Sequence, residues 1–225
     1  MTKTRSARPA EYDTIMRFLE NAYGHTLNLW SRWFPQSHRP ENFDFGRTYL
    51  LFEQGRIACL VRYYPLEMTL GGVRVKVGGI GAVGTDPELR GRGYMSRLLE
   101  HAFGEMARDG CVISVLEGDR LRYRAFGYEC AGKTLVLEVN ARSCRKAGVE
   151  PLVPRRFLGE EGTLDLMARA YERGSWRCRR APGDYRLMLY REGVLLFTAG
   201  EGERFLQLGS PLSSGLVRAR VDEIE

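Results

Sequence analysis

The chain has 225 residues, 44% apolar and 28% charged, with a formal net charge of +6. This length can bury a large core, and the balance is that of a soluble globular protein. No run approaches the roughly 20 apolar residues of a membrane helix, MTKTRSARPAEYD holds no apolar leader segment, and the spread arginine excess forms no basic helix or basic–aromatic repeat of a nucleic-acid binder.

In chain order, Pro9–Tyr23 reads as a helix, with Pro9 in its first turn and Tyr12, Ile15, Met16, Leu19 and Tyr23 at helical spacing. The aromatic stretch Leu27–Phe34 reads as a second short helix, and Pro35–Pro40 as a loop. Thr48–Glu53 and Ile57–Tyr64 are expected strands about a Gln54-Gly55-Arg56 turn. Gly71-Gly72 makes another hairpin turn. Val73–Thr85 continues as a strand broken by Gly78, Gly79, Gly81 and Gly84; such glycines call for a bulge or a close approach to the backbone.

Gly93–Arg108 is the clearest helix, with Met95, Leu98, Leu99, Ala102, Phe103 and Met106 on one stripe and Gly110 placed to cap it. Val112–Leu116 reads as a strand, Asp119–Phe126 as a short helix ended by Gly127, and Tyr128–Val139 as one or two strands. Residues 141–156, charged and carrying Pro151 and Pro154, read as a linker. Thr163 can cap a helix to about Arg173. Tyr185–Tyr190, Val194–Ala199, Arg204–Leu208 and Leu216–Ile224 are expected antiparallel strands. Residues 1–140 are thus one expected domain and 157–225 a second, partial one.

The five cysteines, odd in number, fit no zinc spacing and are expected as buried free thiols in a reducing cytoplasm. The scattered His25, His38 and His101 point to no metal site.

The chemistry sits in VGGIGAVGTDPELRGRGYMSRLLEHAF. A glycine-rich loop leads straight into a long amphipathic helix. First-turn N–H groups of a helix lack internal partners and carry partial positive charge, so they bind anions. Gly91 and Gly93 allow a phosphate to approach the backbone, and Arg90 and Arg92 add charge suited to a pyrophosphate. A Walker loop needs a Gly-Lys-Ser/Thr ending that is absent here. A dinucleotide fingerprint needs a parallel crossover, whereas hairpins precede this loop. A plain tight turn before a core helix is the alternative.

These residues resemble the GNAT superfamily of N-acetyltransferases, whose loop follows Q/R-x-x-G-x-G/A. Arg90, Gly91, Arg92, Gly93, Tyr94 and Met95 take the six places, and Met95 departs from the last. That departure, and GDRLRYRAFGYE with Tyr123, Ala125 in place of an arginine, Phe126, Gly127 and Tyr128, resemble the enhanced-intracellular-survival branch. The resemblance implies an α/β (α+β) fold with a mixed, mostly antiparallel sheet flanked by helices, and a second GNAT-like unit without the cofactor motif. It also implies acetyl-CoA as cosubstrate, a primary-amine acceptor, and no role for membrane or nucleic acid. Val83, Gly84 and Thr85 would hold the acetyl carbonyl and pantetheine arm, and the amides of Arg90 to Met95 the pyrophosphate. Tyr123 would protonate the leaving thiolate; a core tyrosine is its other reading. A non-catalytic CoA-binding or regulatory module remains the alternative function, and a homo-oligomer stays open.

No general base declares itself. Glu117 and Asp119 lie close to the motif, and the resemblance implies a chain-terminal carboxylate. The acceptor wall is expected within Tyr23–Phe45, with Trp30, Trp33, Phe34, Glu41 and Asp44; core packing explains those aromatics equally well.

Overall fold

The computed structural model describes residues 2–25, 29–131, 141–148, 155–189, 194–199 and 204–209. They group into two compact units, one of residues 1–117 and 168–193 and the other of residues 118–167 and 194–225.

The first unit is built on a sheet ordered β1-β2-β3-β4-β5, of strands β1 (Thr2–Ser6), β2 (Thr48–Glu53), β3 (Arg56–Leu70), β4 (Val73–Thr85) and β5 (Ile113–Leu116). All neighbours are antiparallel except β4 and β5, which run parallel. Gln54 and Gly55 (φ 50° and 82°) close the β2–β3 hairpin, and Gly71 and Gly72 (58° and 88°) the β3–β4 hairpin. Paired positive φ values match the right-handed strand twist. β1 was not foreseen: its polar sequence has no inward face of its own, and pairing with β2 makes it a strand.

Helices cover both faces of this sheet. Pro9–Glu11 forms a 3-10 turn that leads into α1 (Tyr12–Tyr23), ended by Gly24 in the left-handed conformation. Its Ile15, Met16, Phe18 and Leu19 pack with Leu50, Leu60, Phe43 and Ala82. α2 (Leu29–Trp33) and α3 (Pro35–His38) follow. The expected loop at 35–40 is therefore largely helical, because Pro35 opens a turn that His38 closes onto the carbonyl of Phe34. On the other face lies α4 (Tyr94–Arg108), with Tyr94, Leu98, Leu99, Ala102 and Met106 buried. Each leucine buried there contributes about 1.5–3 kcal/mol. Gly110 caps it as expected, at φ 75°.

In the second unit, Asp119 caps α5 (Arg120–Tyr123) by accepting from the Leu121 amide, and Gly127 ends the following 3-10 turn. Tyr128–Ala131 is not strand, and the rest of the expected Tyr128–Val139 strands lies outside the described residues. α6 (Ala141–Lys146) occupies part of the expected linker, and β6 (Arg155–Arg156) pairs with a later strand of this unit.

The boundary between the units falls within α7 (Glu161–Arg173), which starts two residues before Thr163. β7 (Trp176–Cys178) pairs with the far end of β3 in the first unit. The expected strand Tyr185–Tyr190 is instead helix α8 (Pro182–Leu189). Pro182 suits a first helical position, and the Asp184 carboxylate accepts from the Ala181 amide there. In the second unit β8 (Val194–Ala199) and β9 (Arg204–Gly209) form the expected hairpin. The expected turns at 192–193 and 200–202 and strand 216–224 lie outside the described residues.

All five cysteines are free, but only Cys59 is buried and Cys130 is exposed, so the expectation of buried thiols holds for one. Among the described residues no helix is long and apolar enough to cross a membrane.

Candidate active site

β4 and β5 pair only from Val77–Ile80 to Ile113–Leu116, while β4 continues to Thr85. Beyond Ile80 the strand keeps its β3 neighbour and, among the described residues, has no strand on its other side. The β3 register also slips here. Leu60 faces Gly84 and Arg62 faces Gly81, so Ala82 and Val83 together oppose Val61. This is a β-bulge, with Ala82 at φ 48°. A left-handed alanine stores strain of about 1–3 kcal/mol, held in place by its surroundings. The bulge turns backbone groups out of the ladder, and the Val83 carbonyl accepts from the Tyr23 phenol (2.9 Å).

The strand glycines serve close approach. A Cβ on Gly84 would lie 3.1 Å from Ala22 Cβ, and one on Gly81 2.9 Å from the Tyr64 ring. On Gly78 it would run into the Met106 side chain of α4. Sequence reasoning looked to the glycines for the bulge, and the structure puts it at the alanine between them.

After β4, the Asp86 carboxylate caps a 3-10 turn over Pro87–Leu89 (3.0 Å to the Glu88 amide), and Leu89 is buried as an anchor. The loop Arg90–Gly93 then enters α4. Gly91 and Gly93 sit at φ 79° and 74°, and a Cβ on either would meet nothing within 4 Å. Glycine is required there for its left-handed backbone, and the space above stays open. Gly93 is the N-cap and offers no side-chain acceptor, so the first-turn amides of α4 keep their capacity for an outside anion.

The arginines are tied back. Arg90 donates to the Ala22 carbonyl (3.1 Å). Arg92 donates to both oxygens of Glu53 (3.2 Å each), and the Tyr94 hydroxyl donates to Glu53 Oε1 (2.7 Å). Tyr94 and Glu53 hold Arg92 charged, and the hydrogen bond to Glu53 lifts the Tyr94 phenol above its usual range. Glu53, at the end of β2, carried no local signal; only the sheet order brings it to the loop. Met95, half-buried, follows Tyr94 in the first turn.

Val83, Gly84 and Thr85 thus end the open strand, and Arg90 to Met95 form the loop and first helical turn, all within one unit. Tyr123 belongs to the other unit, where it is buried at the end of α5, its ring 6.0 Å from that of Tyr128. Of the candidate bases, Asp119 is the α5 cap and Glu117 is exposed.

Tyr23, Trp30, Phe34, Phe43 and Phe45 form one continuous cluster with His38. Tyr23 meets Trp30 at 4.9 Å, Trp30 meets His38 at 5.1 Å, and Phe43 meets Phe45 at 4.8 Å. Asp44 is a turn residue accepting from the Arg47 amide, and Glu41 is exposed. Burial, aided by the Arg62 charge, pushes the His38 imidazole down to about 3.

The family model described as "Acetyltransferase (GNAT) domain" matches residues 3–131, more than half of the chain. The chain belongs to the GNAT acetyltransferase family. Comparison with curated proteins gives no match. Among solved structures, a GCN5-related N-acetyltransferase from Kribbella flavida is 19% identical with a TM-score of 0.66, over 94% of this chain and 55% of that one. The Anabaena variabilis GCN5-related N-acetyltransferase gives 19%, 0.65, 94% and 56%, and Eis1 from Mycobacterium abscessus 18%, 0.64, 95% and 54%. These likenesses carry the fold, a mostly antiparallel sheet flanked by helices. The chain spans about 55% of the length of these solved relatives.

Proposed function

We propose that this GNAT chain transfers the acetyl group of acetyl-CoA to a primary amine by direct attack. The observation that carries this reading is the juxtaposition of a bulged strand end, open on one edge among the described residues, with a helix N-terminus that has no side-chain cap, its N-cap Gly93 following the strand end Thr85 after the loop of residues 86–92. One binds an acyl arm through backbone groups, and the other binds a pyrophosphate. The amides from Arg90 to Met95 take the pyrophosphate, with Arg90 and Arg92 nearby. Val83, Gly84 and Thr85 offer backbone donors to the acetyl oxygen, where charge develops as the amine adds.

Collapse of the adduct breaks the carbon–sulfur bond, and the leaving thiolate, with a pKa near ~8.5, needs a proton. Tyr123 is the proposed donor. A phenol near ~10 gives it up only where position and a dry environment help, and its buried setting on α5 is consistent with that role. Of residues 157–225, the stretches 157–167 and 194–225 are proposed as part of a second GNAT-like unit, since 168–193 group with the first unit; solved relatives align with 94% of the chain, well past residue 131.

The test is thiol release and amine acetylation across a panel of amines. Turnover with acetyl-CoA is expected, and Tyr123→Phe is expected to cost roughly 10²-fold or more in kcat. Wild-type turnover in Tyr123→Phe would remove the acid assignment. Tight acetyl-CoA binding with no acetylation of any amine would make the chain a binding module.

A further inference from the structure

On the sheet face that α1 covers, one residue departs from its surroundings. Arg62 stands on β3 opposite Gly81, beside the bulge, and is only 2% exposed. Its Nη1 donates to the Ser37 carbonyl (2.5 Å), and its guanidinium lies over the rings of Phe43 (4.2 Å) and Tyr64 (4.8 Å). It also donates to the Tyr64 phenol oxygen, and among the described residues no carboxylate pairs with it, Asp44 acting only at a distance. Among the described residues its Nε is buried without a hydrogen-bond partner, as are the Trp30 indole nitrogen and His38 Nε2. These groups adjoin one another: Trp30 packs on His38, and His38 follows the Ser37 whose carbonyl Arg62 holds. Trp33 Nε1 and Gln36 Oε1, in the same stretch, are also unpartnered.

The chemistry of this set is specific. A buried cation without an anion is costly, and so is each unpaired buried donor. Two aromatic faces offset part of this, and the Arg62 Nε, Trp30 Nε1 and Trp33 Nε1 donors outnumber the Gln36 Oε1 acceptor among the unpartnered atoms. What is missing is oxygen carrying negative charge. A planar guanidinium with an unpartnered N–H suits a carboxylate, and the indole N–H two ring contacts away adds a second donor. The set also lies beside the proposed reaction point. The bulge is one or two residues along β4 from the Arg62 partner Gly81, roughly 3–7 Å, and the Tyr23 that bonds Val83 also packs on Trp30.

We propose that Arg62, with the Trp30 indole N–H, recognises a carboxylate on the acceptor, so that the acceptor is an amino-acid-like amine rather than a polycation. The inference rests on the amine-acetylation reading. The carboxylate takes the unpartnered Arg62 Nε–H, leaving the amine toward the bulge. Trp30, expected only as an acceptor-wall residue, gains a stated donor role, and Arg62 is a residue that sequence reasoning passed over.

The experiment is calorimetric binding to the full chain in the presence of CoA. N-acetyl amino acids are compared with the matching N-acetyl amino acid amides, which lack the charge. Alongside, acetylation of amino acids is compared with that of their amides and of linear polyamines. A carboxylate preference of about 30-fold is expected. Arg62→Met should reduce it to within about 3-fold, with acetyl-CoA affinity unchanged. Trp30→Phe, which keeps the ring and loses the N–H, should lower it by about 3- to 10-fold; it decides the matter should Arg62→Met fail to fold. Equal binding of acids and amides, or preferred acetylation of polyamines, overturns the proposal and assigns the unpaired groups to buried water. A carboxylate preference in binding that both variants weaken, with no amine acetylated, upholds this site and sinks the transfer reading instead.

Discussion

Glu53 grips Arg92 and Tyr94 together, one residue inside the anion loop and one just after it. Arg92 is half-exposed, so solvent screens the pair and it adds little to stability. An arginine freed to meet a phosphate gains a charge-assisted bond of about 1.5–3 kcal/mol. The second effect is larger, so Glu53→Gln is expected to tighten acetyl-CoA binding about 3-fold or more while barely moving the melting temperature. Weaker binding by titration calorimetry would mean that Glu53 matters through the shape of the loop.

His38 gives a pH signature. Its folded pKa of about 3 lies below the unfolded value of about 6.5. Between those values the unfolded chain binds the extra proton, so stability falls with falling pH by about 1.4 kcal/mol per unit. His38→Gln should lose that slope, leaving urea-unfolding free energies at pH 7, 6 and 5 flatter by this amount. Parallel wild-type and variant curves would contradict the buried neutral imidazole.

At the scale of elements, α1 and β4 meet through Gly84. An alanine Cβ there would sit 3.1 Å from Ala22 Cβ, which cannot rotate away, and 3.3 Å from Phe18. Gly84→Ala must shift α1 and with it Tyr23, which holds the Val83 carbonyl. A loss of about 1–3 kcal/mol is expected, read by denaturant unfolding, together with slower acetyl transfer. An unchanged midpoint would show that the helix yields freely.

Elements with local determinants were legible. Thr48–Glu53 ends and Val73–Thr85 begins where expected because two-residue turns with positive φ bound them there. α4 was legible from its apolar stripe and its two flanking glycines. YRLML alternates like a strand but also puts Tyr185 and Leu189 one turn apart, and the proline and aspartate before it decided for helix α8. β1 and β7 are short and take strand form from their partners, which no local pattern announces.

For the whole molecule, the family segment 3–131 is not the whole first unit, since residues 168–193 return to it. β7 pairs with Met68–Leu70, Arg179 bonds Glu67, and Tyr185 is buried. A chain ended after Glu160 keeps the entire family segment but loses these contacts. Its melting temperature is expected to fall by at least about 5 °C, since about 1 kcal/mol shifts a chain of this size by 2–4 °C. An unchanged value by scanning calorimetry would make the return decorative.

The sequence by itself determined the anion loop, the helix behind it and the hairpins before it, and through them the family. These features rest on backbone geometry and on side chains within a few turns of one another. Only the tertiary structure decided the bulge at Ala82, the Glu53 latch and the burial of Arg62. The bulge comes from a register slip against β3. The latch joins residues 39 apart, and Arg62 reaches across 25 residues to Ser37. Each depends on which strands and helices become neighbours, and a chain records that only in the sum of its packing.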